Sequence, residues 1–171
     1  SEWAPNVTRE LLAGTVVALQ QTLVIPLIPE WPTLLHTSAD NTSWLVTATL
    51  LAGAVATPIL ARLADMVGKK KIMLVSLAFV IVGSVIGGIG SGLGALVVAR
   101  TFQGLGGAIA TPQTMSVMIR TFSPRERGGA MGVWGATAGV ATITGPLVGG
   151  LLVEAAGWPW IFFVNVPVGV V

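Results

Sequence analysis

The sequence has no cysteine, no tyrosine and a single histidine, and only 9% of its 171 residues are charged. Without cysteine there is no disulfide framework, zinc knuckle or thiol nucleophile. One histidine, His36, cannot build a multi-histidine metal site. No paired carboxylates lie near it in the sequence, so it reads as an exposed loop residue and no metal is expected. The scarcity of charge excludes more. A soluble globular domain carries about 25% charged residues, so this chain has too little charge to cover a water-facing surface. The net charge is +2, but the basic residues are few and sit between apolar segments without interleaved stacking aromatics. Nucleic acid is therefore not expected as a partner.

Enzymatic constellations are missing as well. There is no Ser-His-acid set and no G-x-x-x-x-G-K-S/T phosphate loop. The glycines between positions 87 and 94 make a flexible turn rather than a dinucleotide fingerprint, because no strand precedes them. The chain reads as a non-enzyme without a cofactor. With no nucleotide site in view, an ion gradient or simple diffusion is left to drive whatever it does.

What is plentiful is apolar sequence, 53% of the chain, in long runs between short charged clusters. The runs cover residues 11–28, 44–63, 72–89, 94–119, 130–155 and 160–171, the last cut off by the end of the chain. A helix crosses a bilayer with roughly 20 apolar residues, and each complete run meets that length. The expected fold is all-α, with about six helices whose outer partner is the lipid bilayer. Arg9 precedes the first run, but no small-residue cleavage site ends it, so the run is not a cleavable signal peptide. The chain begins without a methionine and stops inside an apolar run, so both ends are expected to be boundaries within a longer protein.

The basic residues divide the chain independently. Arg9 stands before the first run. Arg62, Lys69, Lys70 and Lys71 flank the second connection, and Arg120, Arg125 and Arg127 lie around the fourth. The first, third and fifth connections hold no Lys or Arg. Basic loops face the cytoplasm, so the N-terminus is expected there. Trp31, Trp44, Trp158 and Trp160 fall near the opposite, outer interface, where amphipathic rings collect. Ser123-Pro-Arg-Glu126 reads as a capping box that starts the helix of the fifth run.

Glycine is abundant, at 22 residues, and small residues let membrane helices pack closely. Gly83 with Gly87 and Gly145 with Gly149 are packing candidates. Gly128, Gly132, Gly135 and Gly139 recur at helical spacing as one smooth stripe. Such a stripe suits either static packing or a sliding surface.

Arg100 is the one charge inside a predicted span. At a helix centre it costs about 2.5 to 3.5 kcal/mol on insertion scales. Either it snorkels to the outer interface, about six residues away, or it faces a hydrated cavity. Gln103, Gly107, Thr111 and Thr114 share its face at spacings of three or four, which supports the cavity.

Four segments resemble motifs of one family. Ala61-Arg-Leu-Ala-Asp65-Met-Val-Gly68-Lys69-Lys70-Lys71 resembles the loop between helices two and three of the major facilitator superfamily. Leu-Val-Val-Ala-Arg100-Thr-Phe-Gln103-Gly104-Leu-Gly106 is similar to its helix-four motif in drug exporters. Ala141-Thr-Ile-Thr-Gly145-Pro146-Leu-Val-Gly149-Gly150 resembles the helix-five motif of its antiporters. Trp158-Pro159-Trp160-Ile-Phe-Phe-Val-Asn165-Val-Pro167 resembles the helix-six signature of the fourteen-helix drug:proton antiporter branch. The order is right and the resemblance covers nearly the whole chain. It implies the N-terminal six-helix bundle of a transporter in the cell membrane, whose second, C-terminal bundle is absent here. The implied activity is proton-coupled export of lipophilic or cationic small molecules by alternating access. Uptake by symport or facilitated diffusion is an alternative within transport, and a non-transporting membrane fragment is an alternative outside it.

The resemblance also assigns roles. Asp65, Gly68 and Lys69 would form a cytoplasmic gating loop, with Lys69 able to pair with Asp65. Gly145, Pro146, Gly149 and Gly150 would let helix five bend and admit a close neighbour. Gln20, Arg100, Gln103 and Thr111 would line the substrate or proton pathway. Leu19-Gln20-Gln21-Thr22 resembles the branch's Leu-Asp-x-Thr pattern, but Gln20 stands at the acid position and an amide does not titrate. A proton site would then use edge acids such as Glu30 and Glu154, or the second bundle. Ala61, Met66, Ala141 and Pro159 are further departures from the motifs.

Overall fold

Backbone polar groups inside lipid must be satisfied within the segment, which leaves long apolar runs the α-helix. In this computed structural model the described residues are 18–19 and 21–170, excluding the side chains at 110, 111, 113, 114, 117 and 168–170. Arg9, the start of the first run (11–17) and Gln20 lie outside the described residues, as do the side chains of Thr111 and Thr114. After the helical residues 21–23 the chain forms a 3-10 turn, Ile25–Leu27. Then come α1 (Trp31–Leu34), α2 (Ala39–Val67), α3 (Lys69–Ile89), α4 (Leu93–Thr121), α5 (Arg127–Ala156), α6 (Trp160–Phe163) and α7 (Asn165–Val170). Among the described residues there is no strand.

The helices α2, α3 and α5 are each long and apolar enough to cross a membrane, and α4 carries the apolar stretch Leu93–Ile109. Their outer faces are oily. Leu50, Leu74, Ile143, Leu147 and Leu151 are each at least 60% exposed, a surface suited to lipid rather than water. Most helices extend beyond the apolar runs, because polar residues at the membrane edge continue the hydrogen-bonded ladder.

Three local expectations change. The first run was expected to stay helical to residue 28, but its helix ends at Leu23. Pro26 has no N–H for the next ladder bond and its ring crowds the carbonyl four residues back. The sixth run breaks at Val164 between α6 and α7. Pro167 cannot donate to Phe163, which weakens the ladder at that break. At Ser123 the capping box is half formed. Glu126 accepts from the Ser123 N–H at 3.2 Å, but the Ser123 hydroxyl donates to the same carboxylate at 2.6 Å. It does not cap a backbone N–H. Residues 124–126 form a turn and α5 starts at Arg127.

Two buried clusters mark the ends of the bundle. One gathers Leu23, Leu27, Trp31, Leu45, Leu96 and Phe162, at the starts of α2, α4 and α6. Trp31 is only 1% exposed, so it fills this core rather than facing lipid headgroups, whereas Trp44 and Trp160 are exposed. The second cluster joins Ala64, Ile72 and Ile109 at the other end. There Lys69, at the start of α3, donates to the Ser116 hydroxyl near the end of α4. Arg127 donates to the carbonyls of Phe122 (3.1 Å) and Ile119 (2.6 Å), closing the end of α4. Both basic connections therefore lie at one end of the bundle, and Trp31 and the start of α2 lie at the other.

Candidate functional site: a buried arginine beside a membrane cavity

The α2–α4 and α3–α4 seams depend on close backbone approach. A Cβ on Gly104 would strike the Thr49 carbonyl of α2, and one on Gly106 would lie 2.5 Å from the Ser76 carbonyl of α3. The two glycines of the helix-four segment thus seat α4 against two neighbours at once. Gly83 makes the same kind of contact, since its Cβ would lie 2.6 Å from the Ala99 carbonyl. Gly87 leaves room for the Phe162 ring.

These seams carry Arg100 into the interior. It is 4% exposed, and its Nη1 donates to Gln103 Oε1 at 2.9 Å. Gln103 Nε2 in turn donates to Ser84 Oγ of α3 at 3.2 Å. Gln103 is 2% exposed and Ser84 is fully buried. Arg100 Nε is buried without a hydrogen-bond partner among the described residues. The guanidinium is tied to a residue three positions further into the helix, so Arg100 does not snorkel outward. That bond uses one of the five N–H donors of the guanidinium.

Arg100 borders a cavity of about 510 Å³ between the first span, α2 and α4. Gln21, Thr49, Thr57, Arg100, Gly104 and Gly107 are among its walls. Thr49 donates its proton to Leu45 O (2.9 Å), and Thr57 donates to Gly53 O (2.7 Å) and Ala108 O (3.3 Å). Arg100 is the only charged side chain among the described lining residues.

The sequence-predicted residues divide accordingly. Arg100 and Gly107 border the cavity. Gln103 leaves its wall and points into the α3–α4 seam as the middle of the polar chain. Gln20 and the Thr111 side chain lie outside the described residues. Gly145 and Gly149 of α5 face the first span. A Cβ on Gly145 would overlap Thr22 Oγ1, and one on Gly149 would lie 2.5 Å from the Leu23 carbonyl. Gly150 belongs to a second cavity of about 290 Å³ with Pro26, Glu30, Val153 and Glu154. Pro146 interrupts the α5 ladder as expected of an internal proline.

Asp65 is exposed near the end of α2. Lys69 reaches Ser116. Gly68 joins α2 to α3 with φ 108°, a conformation that disfavours any Cβ. The stripe Gly128, Gly132, Gly135 and Gly139 meets open space, with nothing within 4 Å of a Cβ built at any of them. Static packing among the described residues is therefore not its role. Ser84, Thr49 and Thr57 were missed by sequence reasoning. For the threonines a signal existed, because Thr49, Gly53 and Thr57 recur every four residues on one face of α2.

The sequence matches the Major Facilitator Superfamily over residues 11–171. The chain belongs to that superfamily. An uncharacterized superfamily transporter of Mycobacterium tuberculosis is 43% identical over 156 residues, 91% of this chain and 27% of the relative. The tetracenomycin C resistance and export protein of Streptomyces glaucescens is 37% identical over 165 residues, 96% of this chain and 31% of the relative. Multidrug resistance protein 3 of Bacillus subtilis is 33% identical over 132 residues, 77% of this chain and 26% of the relative. The chain thus spans about a quarter to a third of the length of these relatives. It is an all-α, multi-pass membrane bundle of the superfamily.

Proposed function

We propose that this chain is the N-terminal bundle of a secondary transporter that exports lipophilic or cationic small molecules in exchange for protons, by alternating access. The observation that carries the reading is the cavity between the first span, α2 and α4, with buried Arg100 on its wall. A cavity of this size suits a drug-sized ligand, for which pockets run from about 300 to 1,000 Å³. Two relatives, named for tetracenomycin C export and for multidrug resistance, support the direction of transport. The second bundle of the same transporter would close the cavity. The open face of α5, with its glycine stripe and the interruption at Pro146, suits a surface on which two bundles rock. The clustering of basic residues around the second and fourth connections supports a cytoplasmic N-terminus in the plasma membrane. Asp65, Gly68 and Lys69 at that end would gate the motion.

The described cavity walls hold no carboxylate, and Gln20 stands where the branch has an acid. That observation favours a second reading, uptake by symport or facilitated diffusion. The deciding experiment is flux of a lipophilic dye by the full-length protein in vesicles with an imposed proton gradient. Export coupled to proton entry supports the first reading. Gradient-independent equilibration supports facilitated diffusion, and proton-driven movement in the same direction as the protons supports symport. No flux under any gradient would overturn transport itself.

A further inference from the structure

We propose that the cavity is an anion-selective site, which takes an amphiphilic organic anion with its carboxylate or sulfonate on Arg100 and its apolar body against α2 and the first span. This deepens the transporter reading and rests on it for the cavity's use in transport. Arg100 is 4% exposed; among the described residues it gives one hydrogen bond, to neutral Gln103, and its buried Nε has no partner. A buried cation with spare donors is costly unless an acceptor of opposite charge joins it. None of the described residues lining the cavity is an acid.

The other polar groups do not change the sign. The Thr49 and Thr57 hydroxyls spend their protons on backbone carbonyls of their own helix and of α4. They add acceptors but no charge. Gln21 is neutral. The remaining wall is largely apolar, with Val24, Ile28, Val46 and Leu50 among its residues. A ligand that satisfies both parts has one negative charge and an oily body. Of the lipophilic and cationic cargoes that the family resemblance implies, a cation would enter against the fixed charge of Arg100.

The test compares three probes with one fluorophore in equilibrium binding to the purified full-length transporter. Dansylglycine is an anion, its methyl ester is neutral, and dansylcadaverine is a cation. The wild type is expected to bind dansylglycine about tenfold or more tightly than the ester, the scale of one charge-assisted contact, and dansylcadaverine most weakly. Arg100→Gln should bring dansylglycine and the ester to equal affinity. Gln103→Glu keeps Arg100 and nearly the same shape, and sets a carboxylate about 3 Å from the guanidinium. It too should abolish the anion preference, and it decides the matter if Arg100→Gln does not fold.

Equal binding of the three probes by the wild type would overturn the proposal, and so would preference for the cation. An acid from outside the described residues that already neutralises Arg100 would give that result. An anion preference that survives either variant would also overturn it. The transporter reading fails separately. Anion binding without flux of any probe would sink transport and leave the site standing. Flux of all three probes without charge preference would do the reverse.

Discussion

The Thr22 hydroxyl occupies the space that a side chain on Gly145 would need. It donates towards the carbonyls of Ala18 (3.0 Å), Leu19 (3.1 Å) and Ala141 (3.4 Å), so it ties the first span to α5 one turn before Gly145. Two segments singled out separately in the sequence meet here. The threonine of the first span is the knob, and the first glycine of the Gly145–Gly150 segment is the hole.

Gly145→Ala is therefore expected to destabilise the protein by about 1–3 kcal/mol, the usual cost of overpacking. Gly150→Ala should be close to neutral, because a Cβ there meets nothing within 4 Å. Thr22→Ala combined with Gly145→Ala should recover part of the loss, since it removes the hydroxyl but not the Thr22 Cβ at 2.7 Å. Thermal unfolding of the full-length protein in detergent reads all three. Equal stability of Gly145→Ala and Gly150→Ala would show that the first span does not sit on α5 in this way.

Gly68 separates backbone strain from contact. Its φ is 108° and a Cβ would meet nothing within 4 Å among the described residues, so the effect expected of substitution is backbone strain. Gly68→Ala and Gly68→Val should both destabilise the α2–α3 connection, by about 1–2 kcal/mol for alanine and more for the β-branched residue, and both should lower transport. Asp65→Asn touches an exposed side chain and should leave stability unchanged. If it lowers flux in vesicles, Asp65 has a partner beyond these residues. Normal flux in both Asp65→Asn and Gly68→Val would reduce this loop to a connector.

The absence of cysteine gives a clean background for topology. Ser38 caps α2 and is exposed, and Ser123 is exposed after α4. Single Ser38→Cys and Ser123→Cys variants should react with an impermeant thiol reagent from opposite sides of the cell membrane, Ser38→Cys from outside. Labelling of both from outside would refute a cytoplasmic location for the basic connections.

The Ser123 hydroxyl, and then its backbone N–H, hold the Glu126 carboxyl below its usual range. A depressed carboxylate contributes stability that is present above its unfolded pKa and is lost as pH falls through the folded value. Ser123→Ala should raise the Glu126 midpoint in a carbon NMR titration towards the ordinary value. An unmoved midpoint would mean that the Ser123–Glu126 bond does not form.

The helices of the second to fifth spans were legible because long uncharged runs and the alternation of basic loops both come directly from the bilayer as solvent. Arg100 was legible for the same reason, as a costly charge in an apolar run. Its partners were not. Ser84 is one of two serines in an otherwise apolar stretch of α3, and the close approach of Gly83 to Ala99 brings it within reach of Gln103. Helix periodicity set Gln103 on the same face as Arg100, but a shared face does not decide which of two neighbouring helices a long side chain turns towards. The end of the first span was also hidden. Pro26 and Pro29 were visible in the sequence, yet apolar length alone extended the helix past them.

The polar chain from Arg100 to Ser84 gives the last prediction, a graded one. Ser84→Ala removes the terminal acceptor and leaves a Gln103 amide proton unsatisfied in a buried seam, at a cost of about 1 kcal/mol. Gln103→Leu removes the group that holds Arg100 Nη1 and leaves a buried cation with no described partner. That cost should be larger, about 3 kcal/mol, on the scale of breaking a hydrogen bond to a charge. Arg100→Lys keeps the charge but loses the planar fork, which can hold Gln103 with one arm and a ligand with the other. It should preserve membrane insertion and most of the stability while impairing coupled transport. Arg100→Ala should abolish coupling and leave the seams around Gly104 and Gly106 in place, because those rest on backbone contact. The measurements are unfolding midpoints for the first two variants and the pH dependence of vesicle flux for the arginine variants. If Arg100→Ala transports with an unchanged pH profile, the buried arginine serves the packing of α3 against α4 and takes no part in coupling.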